Sequence, residues 1–236
     1  MAGPLGKKVA IPDTFNPDIL FPISRNEQRK GKNLIFQGGK DVWNIHELFW
    51  LGENDTSNHN DLSIHIPADS KFTVESKSLK LFINSFIHKR FNSLTEVHDT
   101  LKKYLEDLLQ TEIQIDDIYG KYHLEHEKII INSEFSHAPK TADNKEIIRF
   151  SSFRSLCPVT SQPDVADIYI EGKIHQDDKI NISRYLGTFF RKECFHELCV
   201  EYIFTDLINA GYKVNSVEGF FERRGGIAII PIRTTE

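Results

Sequence analysis

Cysteine is scarce in this chain of 236 residues: three, at positions 157, 194 and 199, an odd number that does not make the evenly paired framework of a small secreted protein. We therefore expect a reducing compartment and a cytoplasmic protein. Long apolar runs are missing as well. No stretch approaches the roughly 20 consecutive apolar residues that cross a bilayer. Lys7 and Lys8 near the start have no apolar segment behind them, so neither a membrane span nor an export signal is expected. Basic charge is not in excess either. The net charge is -5, which offers no electrostatic footprint for a polynucleotide. No G-x-G-x-x-G follows a strand pattern, and that argues against a Rossmann dinucleotide domain. A single Met stands against 17 Phe, a bias toward aromatic packing in the core. With 39% hydrophobic residues, the chain can build one large domain or two small ones that bury a shared core.

Hydrophobic periodicity organises what is there. Leu62, Ile64 and Ile66 alternate with polar neighbours, which predicts a strand over Asp61 to Ile66 beside a partner at Val42 to Leu51. Leu79 to Phe86 can begin a helix. Ser93-Leu94-Thr95-Glu96 has capping-box spacing, and apolar residues then recur every three or four positions, predicting a helix from Leu94 to Gln110. Weaker strands are expected at Glu112 to Tyr119 and Lys128 to Asn132, followed by a polar linker over 136–146. The second half predicts strands at Ile147 to Phe153 and Ala166 to Ile174, and a short helix around Ile180 to Phe190. A longer helix carries Leu198, Ile203, Phe204, Leu207 and Ile208 and stops at Gly211. Strands at Lys213 to Glu222 and Ile227 to Arg233 flank Arg223-Arg224-Gly225-Gly226, a hairpin signal. Each half thus reads strand, strand, helix, helix, strand, strand. The expected fold class is α+β, with similar units at 1–135 and 147–236 on either side of the linker.

Four segments can carry chemistry, and each has a plainer alternative. Cys157 sits in Ser155-Leu156-Cys157-Pro158, and Pro158 and Pro163 stiffen the loop that runs on to Asp164. It is either a buried structural thiol or a nucleophile. An unperturbed thiol of pKa about 8.5 is only slightly ionised at neutral pH, so the second role needs an activating neighbour, for which His196 is the candidate. Cys194-Phe195-His196-Glu197-Leu198-Cys199 contains zinc-ligand residue types. On a helix, however, Cys194 and His196 point to different faces, and zinc would require Cys157 plus two of these three. Cys194 and Cys199 read better as small core residues. Glu75-Ser76-Lys77-Ser78 is either a polar loop entering a helix or a recognition element. In the second case the carboxylate accepts the paired N–H donors of a purine-like ring, and Ser and Lys hold a phosphate. Arg223 and Arg224 are exposed hairpin arginines or a phosphate clamp whose glycines allow close approach.

Taken together, Glu75 to Phe82, Cys157 to Asp164, Phe195-His196-Glu197 and Arg224-Gly225-Gly226 resemble the NADPH-dependent 7-cyano-7-deazaguanine reductases in their long, two-module form. Phe21-Pro22-Ile23-Ser24-Arg25 and Gly39-Lys40-Asp41-Val42-Trp43 are similar to stretches in the N-terminal half of that form. The resemblance implies the tunnelling fold, built from two tandem strand-strand-helix-helix-strand-strand units. It also implies reduction of a nitrile to a primary amine in the biosynthesis of queuosine, a modified tRNA nucleoside. Cys157 would form a thioimide, Asp164 would supply a proton, and His196 would complete the catalytic set. Val74, Glu75, Ser76, His196 and Glu197 would contact the deazapurine. Ser76, Lys77, Arg224 and Gly225 would hold NADPH, and no metal is implied. The implied partner is a small-molecule deazapurine, without direct nucleic-acid or membrane binding. A homodimer is expected, because tunnelling-fold sites form between units. The chain departs from the family at Ala228 and Ile230, where many relatives carry polar residues near the cofactor, and it is shorter, so outer loops are trimmed. Two other readings remain: a zinc-dependent purine or pterin hydrolase using Cys157, His196 and Cys199, and a non-catalytic purine-binding module. Neither gives Asp164 or the Glu75 segment a role.

Overall fold

The structure, a computed structural model, describes residues 3–118, 136–137, 146–175, 178–222 and 224–236. Its strands are β1 Pro22–Ser24, β2 Gly38–Leu51, β3 Ser57–Pro67, β4 Phe72–Val74, β5 Gln114–Asp117, β6 Ser136–His137, β7 Glu146–Leu156, β8 Pro163–Lys173, β9 Lys213–Phe221 and β10 Ile227–Thr234. Its helices are α1 Arg25–Arg29, α2 Ser76–Ser85, α3 Leu94–Leu109, α4 Lys179–Gly187 and α5 His196–Asn209. Antiparallel pairing with helices grouped between strands matches the expected α+β class. The chain forms two compact units. The first contains Met1–Gln28, Val42–Tyr119 and Arg223–Ala228, and the second contains Arg29–Asp41, Gly120–Glu222 and Ile229–Glu236. No helix among the described residues is long and apolar enough to cross a membrane.

In the first unit the strand order is β5, β3, β2, and β1 pairs separately with β4. The alternation that predicted β3 is the one that buries Leu62, Ile64 and Ile66. Helix α3 begins where the capping box placed it, with the Ser93 hydroxyl accepting the Glu96 N–H at 3.2 Å. The return arm is displaced by one residue: Glu96 Oε2 accepts from the N–H of Asn92, not Ser93. Val97, Leu101, Leu105 and Leu109 form the buried stripe, and Gln110 closes the helix in the left-handed region with φ of 54°. The aromatic bias is realised as a cluster in which Phe82, Phe86 and Phe91 meet Phe15 at centroid distances of 5.3 to 6.4 Å.

In the second unit β9, β8 and β7 form an antiparallel ladder whose apolar face packs on α4 and α5 through residues such as Phe153, Ile168, Leu186, Ile203, Phe204 and Val217. Beneath α5 lies a buried ionic network. Arg233, 0% exposed, donates to Asp41 at 2.8 Å and to Glu201 at 2.8 Å, and Glu201 also accepts from Arg29 at 2.6 Å. These bonds, with Ile35 N–H on Thr205 Oγ1 and Gln37 N–H on the Thr234 carbonyl, hold 29–41 in the second unit although they lie in the first half of the chain.

Local expectations shift at three places. Helix α2 starts at Ser76, three residues before Leu79, because Glu75 caps it. Pro163 opens β8, so Asp164 lies on a strand and not in the loop. Ser136 and His137 pair with β7 where a linker was expected. The candidate strand at 128–132, most of the linker and Arg223 lie outside the described residues.

Candidate active site

Residues 157–162 join β7 to β8 in a tight loop. The Cys157 N–H donates to the Gln162 carbonyl at 2.8 Å, and the Ser161 N–H donates to the Cys157 carbonyl at 2.9 Å. Ser161 turns the chain in the left-handed region with φ of 52°, and its hydroxyl donates to Glu193 at 2.9 Å. On the other side, Leu156 is bonded to the segment before α5, giving its N–H to Lys192 and accepting from Cys194. The loop that carries the thiol is thereby clamped from both sides, and the Cys157 side chain stays partly exposed.

Two residues before Cys157, Ser155 pairs with Asp164 across the ladder. Asp164 is 5% exposed, and its Oδ2 lies 3.4 Å from Nε2 of His196, the first residue of α5. That separation is long for a hydrogen bond. The His196 ring stacks on Phe221 with centroids 4.1 Å apart and planes at 21°. Glu197 follows in the first turn of α5, where the helix dipole favours a carboxylate, and is 5% exposed. The structure thus gathers Asp164, His196 and Glu197 beside the Cys157 hairpin. The other two thiols are core residues, as expected. Cys194 and Cys199 are buried, and burial pushes the Cys199 thiol well above its ordinary pKa. Among the described residues no three His, Cys, Asp or Glu are grouped to hold a metal ion.

The remaining sequence candidates lie in the first unit. Val74 is buried on β4. Glu75 is the N-cap of α2: Oε1 accepts the Lys77 N–H at 2.7 Å and Oε2 the Ser78 N–H at 2.9 Å. Burial raises its carboxyl above the usual carboxylate range, against the pull of these N–H groups. This carboxylate thus takes up the Lys77 and Ser78 N–H groups at the helix terminus. Lys77 Nζ donates to the Lys7 carbonyl, and Lys80, one turn further, reaches the turn at Gly225.

Gly225 and Gly226 have φ of 55° and 80°. A Cβ at the first would overlap Lys80 and one at the second Glu47, so only glycine lets these side chains close over the turn. A glycine cradle beside Lys80, with Ser76 and Lys77 on the same helix and Arg224 next to it, has the donor set that suits the phosphates of NADPH. Sequence reasoning missed Lys80, Ser161 and Phe221, whose roles rest on neighbours distant in the chain. It also missed Glu201, one helical turn after Glu197, which the ionic network claims for structure.

Comparison with known proteins identifies the relatives of the chain. A family model described as "Nitrile reductase, 7-cyano-7-deazaguanine-reductase N-term" matches residues 11–116, and one described as "QueF-like protein" matches residues 163–236. The chain is 33% identical to the NADPH-dependent 7-cyano-7-deazaguanine reductase of Desulfotalea psychrophila, over 98% of this chain and 92% of that protein. It is 32% identical to the enzymes of the same name from Burkholderia ambifaria and Xanthomonas campestris, with the same coverage. With this identity sustained over nearly its whole length, the chain belongs to the 7-cyano-7-deazaguanine nitrile reductase family.

Proposed function

We propose that the chain reduces the nitrile of 7-cyano-7-deazaguanine to the aminomethyl group with NADPH, a step in queuosine biosynthesis, and that Cys157 is the nucleophile. The observation that carries this reading is the convergence of Asp164 and His196, 3.4 Å apart, on the hairpin that holds Cys157. A nitrile is a poor hydride acceptor, so covalent addition divides one hard step into easier ones. The Cys157 thiolate adds to the nitrile carbon, and one π pair moves to nitrogen. Asp164 protonates that nitrogen, giving a neutral thioimide. His196 Nε2 faces Asp164 Oδ2 at 3.4 Å, sets the orientation of that carboxyl while the thioimide forms, and can return a proton to it between the two half-reactions. Glu197 accepts N–H groups of the ring, and the family resemblance gives Glu75, Val74 and Ser76 substrate contacts as well. Ser76, Lys77, Arg224 and Gly225 hold the cofactor, which supplies a hydride twice. Nitrile to amine takes four electrons, hence two NADPH for each product.

The run β7, β8, α4, α5, β9, β10 supports one strand-strand-helix-helix-strand-strand unit, and β2, β3, α2, α3, β5 most of a second. We read these as the tandem units of a tunnelling fold in a cytoplasmic homodimer that binds a small-molecule deazapurine and not nucleic acid. The test combines turnover with intact-protein mass spectrometry. Nitrile alone should add one substrate mass at Cys157, and NADPH should discharge it with two cofactors oxidised per amine. Nitrile-dependent NADPH oxidation that survives Cys157→Ala would overturn the reading.

A further inference from the structure

The plane of the His196 ring decides whether Nε2 faces Asp164. The structure supplies the constraint from β9. The Phe221 ring lies face to face with the imidazole at 4.1 Å and 21°. Phe221 is itself 3% exposed, and Phe153 meets it edge-on at 6.1 Å and 89°. Phe153 in turn packs on Phe189 at 5.3 Å, so the ring under His196 is backed by a rigid aromatic layer.

The seat of that ring is also built. His196 and Val200 are one turn apart on α5, and Phe221 and Gly219 are two apart on β9, so each pair shares a face. Gly219 is the notch: a Cβ there would lie 2.7 Å from Val200 Cγ2 and 3.0 Å from Phe221 Cε2. Without that notch, either the helix stands off the strand or the Phe221 ring turns. The partners Ala166 and Ile168, opposite Phe221 and Gly219 on β8, are buried and apolar.

We propose that Phe221 is a positioning residue for the nitrile reduction. Seated over Gly219, it holds the His196 ring in the plane that aims Nε2 at Asp164. This rests on the role given to His196 above. Phe221 touches no reacting atom and acts only through the imidazole. Small misplacement of a proton-transfer group costs catalysis far more than it costs binding, so the signature is a loss of rate with affinity kept.

A double-mutant cycle tests it on the full chain, reading the rate of thioimide formation by quenched-flow mass spectrometry with nitrile alone, and the nitrile dissociation constant by calorimetry in a Cys157→Ala background, where no adduct forms. Phe221→Leu, which keeps an apolar side chain, should slow thioimide formation about tenfold and change the dissociation constant less than about twofold. In a His196→Gln background the same change should slow it less than about twofold, because the group it positions is gone. Gly219→Ala, which displaces the ring without deleting it, should reproduce the selective loss if Phe221→Leu does not fold. Equal slowing by Phe221→Leu in both backgrounds, or a loss of affinity that matches the loss of rate, overturns the proposal and leaves the role of His196 standing. Full activity of His196→Gln alone would instead overturn that role.

Discussion

Replacing Arg233 with Met is the sharpest test of what holds the second unit together. The guanidinium is fully buried and bonds to Asp41 and Glu201, both at 2.8 Å. Its charge is held firmly: the two carboxylates raise its pKa further despite burial. Removing one partner of a buried ion pair leaves a desolvated charge behind and costs about 3–5 kcal/mol. Here Arg29 still meets Glu201 at 2.6 Å, so the loss concentrates on Asp41, and a value of about 3 kcal/mol is expected. For a chain of this length that corresponds to a fall in melting temperature of about 6–12 °C. Urea unfolding and scanning calorimetry would measure both. Adding Asp41→Asn to Arg233→Met removes the carboxylate that faced the guanidinium and should recover about 1–2 kcal/mol. The exposed pair Arg90 and Asp55, at 2.5 Å, serves as the control, and breaking it should cost less than about 1 kcal/mol. An Arg233→Met protein within about 1 kcal/mol of the parent would refute the reasoning, since Met would then replace the network without penalty.

Other outcomes follow from the site. Burial raises the Glu75 carboxyl above its ordinary 4.5, so the folded chain holds that proton to higher pH than the unfolded chain does. Its contribution to stability is full below pH 4.5 and is lost as pH rises through the folded value. Glu75→Gln should therefore gain on the parent in urea midpoints as pH rises above 4.5, and midpoints that stay parallel would contradict it. Glu197→Ala removes a charge-assisted acceptor for the ring and should weaken nitrile binding at least tenfold, about 1.4 kcal/mol or more, by calorimetry. Gly225→Ala places a Cβ against Lys80 at φ of 55°. It should raise the KM for NADPH several-fold while the nitrile alone still forms the Cys157 adduct at the parental rate; slower adduct formation would move the turn from cofactor binding to general architecture.

Much of the fold is legible in the amino-acid sequence. Helix α3 announces itself through Ser93, Glu96 and an i, i+4 stripe, and β3 through strict alternation, because both signals are local and both are enforced by a single buried face. The start of α2 is hidden because Glu is not among the strongly preferred N-caps. Asp164 reads as a loop residue because Pro163 punctuates, yet a proline can open a strand where its missing N–H is not required. The residues that order the site cannot be read from the sequence at all. Phe221 under His196, Glu193 on Ser161 and Arg233 between Asp41 and Glu201 are pairings between distant segments, with no spacing rule to betray them.

The inequality of the three thiols has a practical side. Cys157 is partly open to solvent, while Cys194 and Cys199 lie in the core. A chromogenic disulfide reagent applied to the native chain would therefore release its dye from one sulfur and then stall until denaturant frees the rest. On the proposed role of Cys157, that sulfur is an active-site titrant the chain carries itself. The burst counts competent molecules in any preparation, and turnover numbers can be referred to functional sites instead of to total protein.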